Sequence, residues 1–197
     1  MPTDREATAA ERDAASRVVP TVLVLMGVSG SGKSTIALEL QRLLGWPFQE
    51  GDDLHPPANV EKMRSGRPLD DADRRPWLQR VAAWIDERLR AGQPGIITCS
   101  NLKRAYRDIT IGQRRGVILV YLKGDETVIG DRLTRRTHQY MPPTLLGSQF
   151  ATLEEPGPDE HPLIVTVHAA LADTVVELLT GLAERPRSPP KTRLGRA

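Results

Sequence analysis

Apolar residues change their period from segment to segment along this chain, and the changes mark out its elements. Thr21 to Met26 is an unbroken apolar run, the pattern of a central strand buried on both faces. Beyond a glycine-rich stretch, Ile36, Ala37, Leu40, Leu43 and Leu44 recur at helical spacing until Gly45 stops them. A second strand is predicted over Trp46 to Glu50. The segment from Arg75 to Ala91 sets Leu78, Val81, Ala82, Ile85 and Leu89 on one helical face, closed by Gly92. Gly95 to Cys99 and Val117 to Leu122 read as two more buried strands, and a helix carrying Val128, Ile129 and Leu133 follows the second. Leu163 to Val167 is the last strand, and Leu171, Val175, Leu178, Leu179 and Leu182 mark a final helix. Strands alternating with helices predict an α/β domain with a mainly parallel sheet. Ligands of such sheets sit beyond the carboxyl ends of the strands.

The two ends of the chain lack this patterning. Residues 1–17 are polar, Ala-rich and aperiodic, and residues 184–197 mix three prolines with five basic residues. Both are expected to be disordered tails flanking one domain over 18–183, because neither has much to bury. A length of 197 residues with 39% apolar and 26% charged content suits a single such domain.

Charge and cysteine usage narrow the function classes. A net charge of +2 and an aromatic content of 4% give little for nucleic-acid binding. No apolar run reaches the length of a membrane span. The lone Cys99 excludes an internal disulfide, and Asp4, Glu6, Glu11 and Asp13 near the start argue against a secretory or transit leader, so a cytoplasmic location is expected. The four histidines show no metal-ligand spacing, and no structural zinc is expected.

The glycine-rich stretch carries chemistry. Gly27, Val28, Ser29, Gly30, Ser31, Gly32, Lys33 and Ser34 form Gly-x4-Gly-Lys-Ser between a strand and a helix. Glycines let consecutive backbone N–H groups turn toward one anion, and the helix that follows adds its positive end. In this pattern the lysine reaches the β- and γ-phosphates of a nucleotide and the serine hydroxyl ligates Mg2+. At the end of the second strand, Glu50 and Asp52 are two apart and point to one side of an extended chain. One carboxylate near the metal, acting through water, and one to take a proton from an attacking hydroxyl are what a small-molecule kinase needs.

Taken with these, the string Met26-Gly-Val-Ser-Gly-Ser-Gly-Lys-Ser-Thr35 followed by Gly51-Asp-Asp-Leu-His-Pro56 resembles the thermoresistant, bacterial-type gluconokinases. Asn59-Val-Glu-Lys-Met63, Gly66 to Arg74 with Pro76-Trp77, Cys99-Ser100, Lys103 with Tyr106-Arg107-Asp108, Tyr121 to Gly124, Leu145-Leu146, Ser148-Gln-Phe150 and Leu153 to Pro156 extend the likeness over roughly 22–180. The resemblance implies a three-layer P-loop kinase fold with a five-stranded parallel sheet and a mobile helical lid. It implies transfer of the ATP γ-phosphate to the 6-hydroxyl of D-gluconate, in a homodimer whose interface the sequence does not specify. Thr35 joins the nucleotide-binding loop, and Asp52 becomes the base. His55, Ser100, Lys103 and Gln149, with Ser29, line the acceptor pocket, while Arg74 and Arg107 pair with the carboxylate, for which forked guanidinium groups are suited. Arg74 after three acids also reads as a local ion pair, His55 as loop packing and Arg107 as a helix brace.

The resemblance further implies a lid over about 132–150, in which at least two of Arg132, Arg135 and Arg136 touch the nucleotide; the same arginines also read as partners of a helix C-terminal dipole. Two of them, Arg132 and Arg136, are expected on the transferring group, where charge must be neutralised and water excluded. Three positions depart from the family pattern. Asn101 replaces a small residue and would narrow the sugar pocket or add a hydrogen bond. Gln139 stands in the lid where a histidine is usual, and His168 where an acid is common, close to the expected adenine site. They leave nucleotide and acceptor preference open, with a shikimate-like acceptor as the rival enzyme and a nucleotide-dependent switch as the rival class.

Overall fold

The computed structural model describes residues 7–16, 21–134, 146–168 and 170–185, with side chains of 16 and 131–134 excepted. Helices α1 to α8 cover Ala9–Ser16, Lys33–Leu44, Pro57–Arg64, Asp71–Ala91, Arg104–Thr110, Glu126–Thr134, Leu146–Thr152 and Leu171–Glu184. Strands β1 to β5 cover Val22–Met26, Phe48–Gln49, Gly95–Thr98, Val117–Lys123 and Leu163–Thr166. They form one five-stranded sheet in the order β2-β3-β1-β4-β5. Every pairing is parallel, with Val22 of β1 opposite Gly95 on one side and Val117 on the other.

Alternation along β1 divides the core between two faces. Leu23 and Leu25 join Ile36 and Leu40 of α2 and Val175, Leu178 and Leu179 of α8. Val22 and Val24 face the other way, against Trp77, Leu78, Val81 and Ile85 of α4 and Tyr106 of α5. All five β1 residues are fully buried, and each large side chain so placed contributes roughly 1.5–3 kcal/mol. The chain leaves β1 toward β2 and β3 and crosses afterwards to β4, so the reversal of strand order falls at the carboxyl end of β1. That end is where a parallel sheet opens a crevice for ligand.

Three expectations change. The N-terminal stretch is not wholly a tail: Ala9–Ser16 is a helix, begun by a capping box in which Thr8 N–H donates to the Glu11 carboxylate (2.7 Å) and Glu11 N–H to the Thr8 hydroxyl (3.2 Å). Ala14 is small enough to let α1 lie close on the core cluster that α8 completes. The second strand is shorter than Trp46 to Glu50, since Pro47 has no N–H to pair and Trp46 turns into the core. Helix α4 begins at Asp71 rather than Arg75. The Asp70–Asp73 capping box nucleates it ahead of Pro76, which then sits inside the helix instead of at its start. Among the described residues no helix is long and apolar enough to cross a membrane. The stretches 186–197 and 135–145 lie outside the described residues, and with them most of the expected lid and the basic tail.

Candidate active site

The phosphate loop joins β1 to α2 at the switch point. Gly27 has φ +146°, and a Cβ there would sit 2.8 Å from the Ser31 hydroxyl and 3.0 Å from the Leu122 carbonyl, so only glycine fits. Lys33 Nζ donates to the carbonyls of Gly27 and Val28, at 3.1 Å each, which lays the ammonium across the loop. Ser34 and Thr35 are exposed in the first turn of α2, at the positive end of its dipole. Ser31 is buried, its N–H is spent on the Val28 carbonyl (3.2 Å), and its hydroxyl has no partner among the described residues. The Ser29 N–H donates to the side-chain carbonyl of Gln149 on α7, at 2.6 Å.

Beside the loop, the end of β2 turns rather than running on. Glu50 is extended, and Gly51–Leu54 forms one 3-10 turn, so Glu50 and Asp52 are not two steps along a strand as the sequence suggested. The turn is locked to β3 through Thr98. Gly51 N–H donates to the Thr98 hydroxyl (3.0 Å), which in turn donates to the Glu50 carboxylate. A Cβ on Gly51 would lie 1.8 Å from the Thr98 carbonyl, and the Trp77 indole N–H donates to the Gly51 carbonyl at 2.7 Å. Asp52 is thereby held next to Lys33 and Glu50. The residue is exposed, yet its carboxyl is crowded by protein. That desolvation raises its pKa; Lys33 opposes the rise, and Glu50 and Asp53 add to it.

His55 follows the turn and stacks on Trp77, ring centroids 4.3 Å apart. Burial, with the Arg74 charge behind it, lowers its pKa to about 4, so the ring is neutral at physiological pH. Arg74 donates through Nε and Nη2 to the Leu69 carbonyl, at 3.3 and 3.2 Å, and lies 5.8 Å from the Tyr106 ring centre. The acids around it are engaged elsewhere: Asp73 with Lys62, Asp71 with Lys103 and Tyr106. Lys103 also lies over Tyr106, at 5.5 Å, so two cations flank one ring.

Arg107 is not where a substrate carboxylate could reach it. It is buried, forms a two-pronged pair with Glu160 (2.6 and 2.9 Å), and donates to the carbonyls of Asn101 (3.0 Å) and Glu154 (2.9 Å). Four of its five N–H groups are used, and it braces α5 against the loop over 154–160. Asn101 is likewise fully buried. At φ +49°, a left-handed conformation asparagine tolerates, its buried side chain meets the Cys99 thiol and the Thr110 hydroxyl, at 3.3 and 3.2 Å. Both contacts fall on its Oδ1, and its buried Nδ2 has no partner among the described residues. Burial pushes the Cys99 thiol up to about 12. His168 pairs with Glu177 at 2.6 Å.

Of the sequence-predicted residues, Ser29, Lys33, Glu50, Asp52, His55, Arg74 and Gln149 belong to the loop, the adjoining turn and the elements packed on them, and Ser100 touches the loop, its carbonyl accepting from Gly27 N–H at 3.4 Å. The side chain of Arg132, all of Arg135 and Arg136, and Gln139 lie outside the described residues. Sequence reading missed Thr98, and it named Asn59 and Tyr106 within the matching strings without giving either a role. A buried threonine ending a central strand was the one signal available for Thr98.

A family model described as an AAA domain matches residues 22–156. A gluconokinase of Gluconobacter oxydans (strain 621H) is 50% identical over 160 residues, covering 81% of this chain and 89% of that protein. A thermoresistant gluconokinase of Escherichia coli (strain K12) is 45% identical over 144 residues, covering 73% and 82%. The crystal structure of a gluconokinase from Sinorhizobium meliloti 1021 superposes with a TM-score of 0.72 at 45% identity, covering 83% of this chain and 92% of that one.

Proposed function

The chain belongs to the gluconokinase family of P-loop kinases, and from that premise we propose how its residues share the reaction. The protein is a kinase that phosphorylates gluconate with ATP; neither a shikimate-like acceptor nor a switch module is favoured. The oxygen of the gluconate 6-hydroxyl forms a bond to the γ-phosphorus, the bond to the β–γ bridging oxygen breaks, and ADP leaves. Asp52 takes the hydroxyl proton. The observation that carries this assignment is its position beside Lys33, on the turn locked to Thr98 at the phosphate loop. Crowding by protein also lifts the carboxyl above its ordinary range, which makes it a better proton acceptor.

Lys33 and the loop amides hold the phosphates, with the α2 N-terminus behind them. His55, Arg74, Ser100 and Lys103 form the acceptor side, where Arg74 and Lys103 supply positive charge for the sugar acid's carboxylate. Arg132, Arg135 and Arg136 remain the proposed lid cations. The donor set fits Mg2+, which takes one or two protein oxygens and completes its shell with phosphates and water. Ser34 would bind it directly and Glu50 through water, and among the described residues no cluster of three or more His, Cys, Asp or Glu side chains competes. When bound, it would neutralise charge on the β- and γ-phosphates. A cytoplasmic homodimer is the accompanying proposal, in keeping with ATP use and a lone buried thiol.

The test is ADP release with ATP and Mg2+ against gluconate, ketogluconates, shikimate and nucleoside monophosphates. Gluconate should stimulate release far above the others, and Lys33→Ala should nearly abolish it. No stimulation over background hydrolysis would sink the proposal.

A further inference from the structure

The His55 imidazole is held on two sides. Its face stacks on Trp77 with the planes 15° apart, and Trp77 is itself pinned to the Gly51 carbonyl. Its edge meets a buried asparagine of α3: Asn59 Nδ2 lies 3.3 Å from His55 Nδ1. A ring nitrogen can donate or accept, so this contact alone does not say where the proton is. The second partner of Asn59 decides it. The same amide nitrogen lies 2.8 Å from the backbone oxygen of Asp73, which can only accept. The NH2 end of Asn59 therefore faces both groups, and its remaining hydrogen goes to Nδ1. Nδ1 is the lone-pair side, and the ring proton is on Nε2, which has no protein partner among the described residues.

We infer that Asn59 is a positioning residue: it holds His55 in the Nε2–H tautomer, so that the ring offers the acceptor a hydrogen-bond donor. The inference rests on the placement of His55 on the acceptor side proposed above. A hydroxyl or carboxylate oxygen of a sugar acid can take that N–H, whereas an Nδ1–H ring would turn a lone pair toward the same oxygen. Asn59 is 5% exposed, so water has little access to loosen the bond. Its grip on Asp73, in the first turn of α4, ties the ring's orientation to the helix that also carries Trp77 and Arg74.

Nitrogen-15 spectra of the full chain labelled at histidine read the tautomer directly, with His55 assigned by its loss in His55→Gln. At pH 7 we expect Nε2 protonated and Nδ1 bare. Asn59→Asp supplies a carboxylate that only accepts, so it should put a proton on Nδ1. It should also raise KM for gluconate about tenfold and leave KM for ATP within about twofold. A wild-type spectrum with Nδ1 protonated overturns the inference without any variant. So does an Asn59→Asp protein whose ring keeps the proton on Nε2 alone, or one whose tautomer changes while KM for gluconate does not. Unchanged KM for gluconate in His55→Gln is a separate failure, which removes His55 from the acceptor side whatever its tautomer.

Discussion

The side-chain carbonyl of Gln149 accepts a 2.6 Å hydrogen bond from the backbone N–H of Ser29, joining α7 to the phosphate loop across 120 residues of sequence. An amide of the phosphate loop is thus paired with a neutral side-chain oxygen of α7. Replacing that oxygen by a carboxylate would set a fixed negative charge where phosphates must come. Gln149→Glu is expected to raise KM for ATP about tenfold or more, like charges in a partly desolvated site costing over 1 kcal/mol. Steady-state kinetics at saturating gluconate check it; an unchanged KM would mean the side chain swings clear of the loop during turnover.

Asp52→Asn should lower kcat by about 10²–10⁴-fold, the range for losing a positioned base. Because desolvation penalises the charged carboxyl in the folded state, the same change should leave the melting temperature equal or higher at pH 7. Wild-type turnover removes Asp52 as the base, and a lower melting temperature removes the desolvation argument.

Arg107→Ala should behave as a folding mutant. It removes the two-pronged partner of the Glu160 carboxylate, 10% exposed, which among the described residues keeps only the Gly157 N–H and the looser Arg104 contact at 3.8 Å. It also strips a donor from the Asn101 and Glu154 carbonyls, for a total loss of about 3 kcal/mol read from the denaturant midpoint. The milder Arg107→Lys keeps the charge but not the two-pronged geometry, and it should fold with KM for gluconate little changed. A large rise in that KM with normal stability would restore Arg107 as a ligand of the substrate carboxylate.

His55 gives the protein a pH dependence with a defined sign. The unfolded ring takes a proton near pH 6.5, while the folded ring, held down to about 4, does not. Between those values the unfolded state binds more protons, so stability rises with pH and is fully present above 6.5. Melting temperatures of wild type and His55→Gln should therefore converge as pH falls from 7 toward 4. Parallel curves over that window would contradict the neutral, buried ring.

What the sequence alone determined is local. The phosphate loop is eight consecutive residues whose glycines and flanking strand and helix dictate one backbone path, and the alternating apolar periods give the parallel sheet because burial acts on each element's own face. The capping box that starts α4 was equally present in Asp70 and Asp73, but Pro76 masked it. Tertiary structure decided which polar side chains serve the site and which serve the frame. Arg107 and Arg74 are indistinguishable as letters; one meets Glu160, 53 residues on, and is used up, while the other lies beside His55 and Tyr106 with its acidic neighbours already engaged. That division depends on competition for hydrogen-bond partners between segments far apart in the chain, and no periodicity records its outcome.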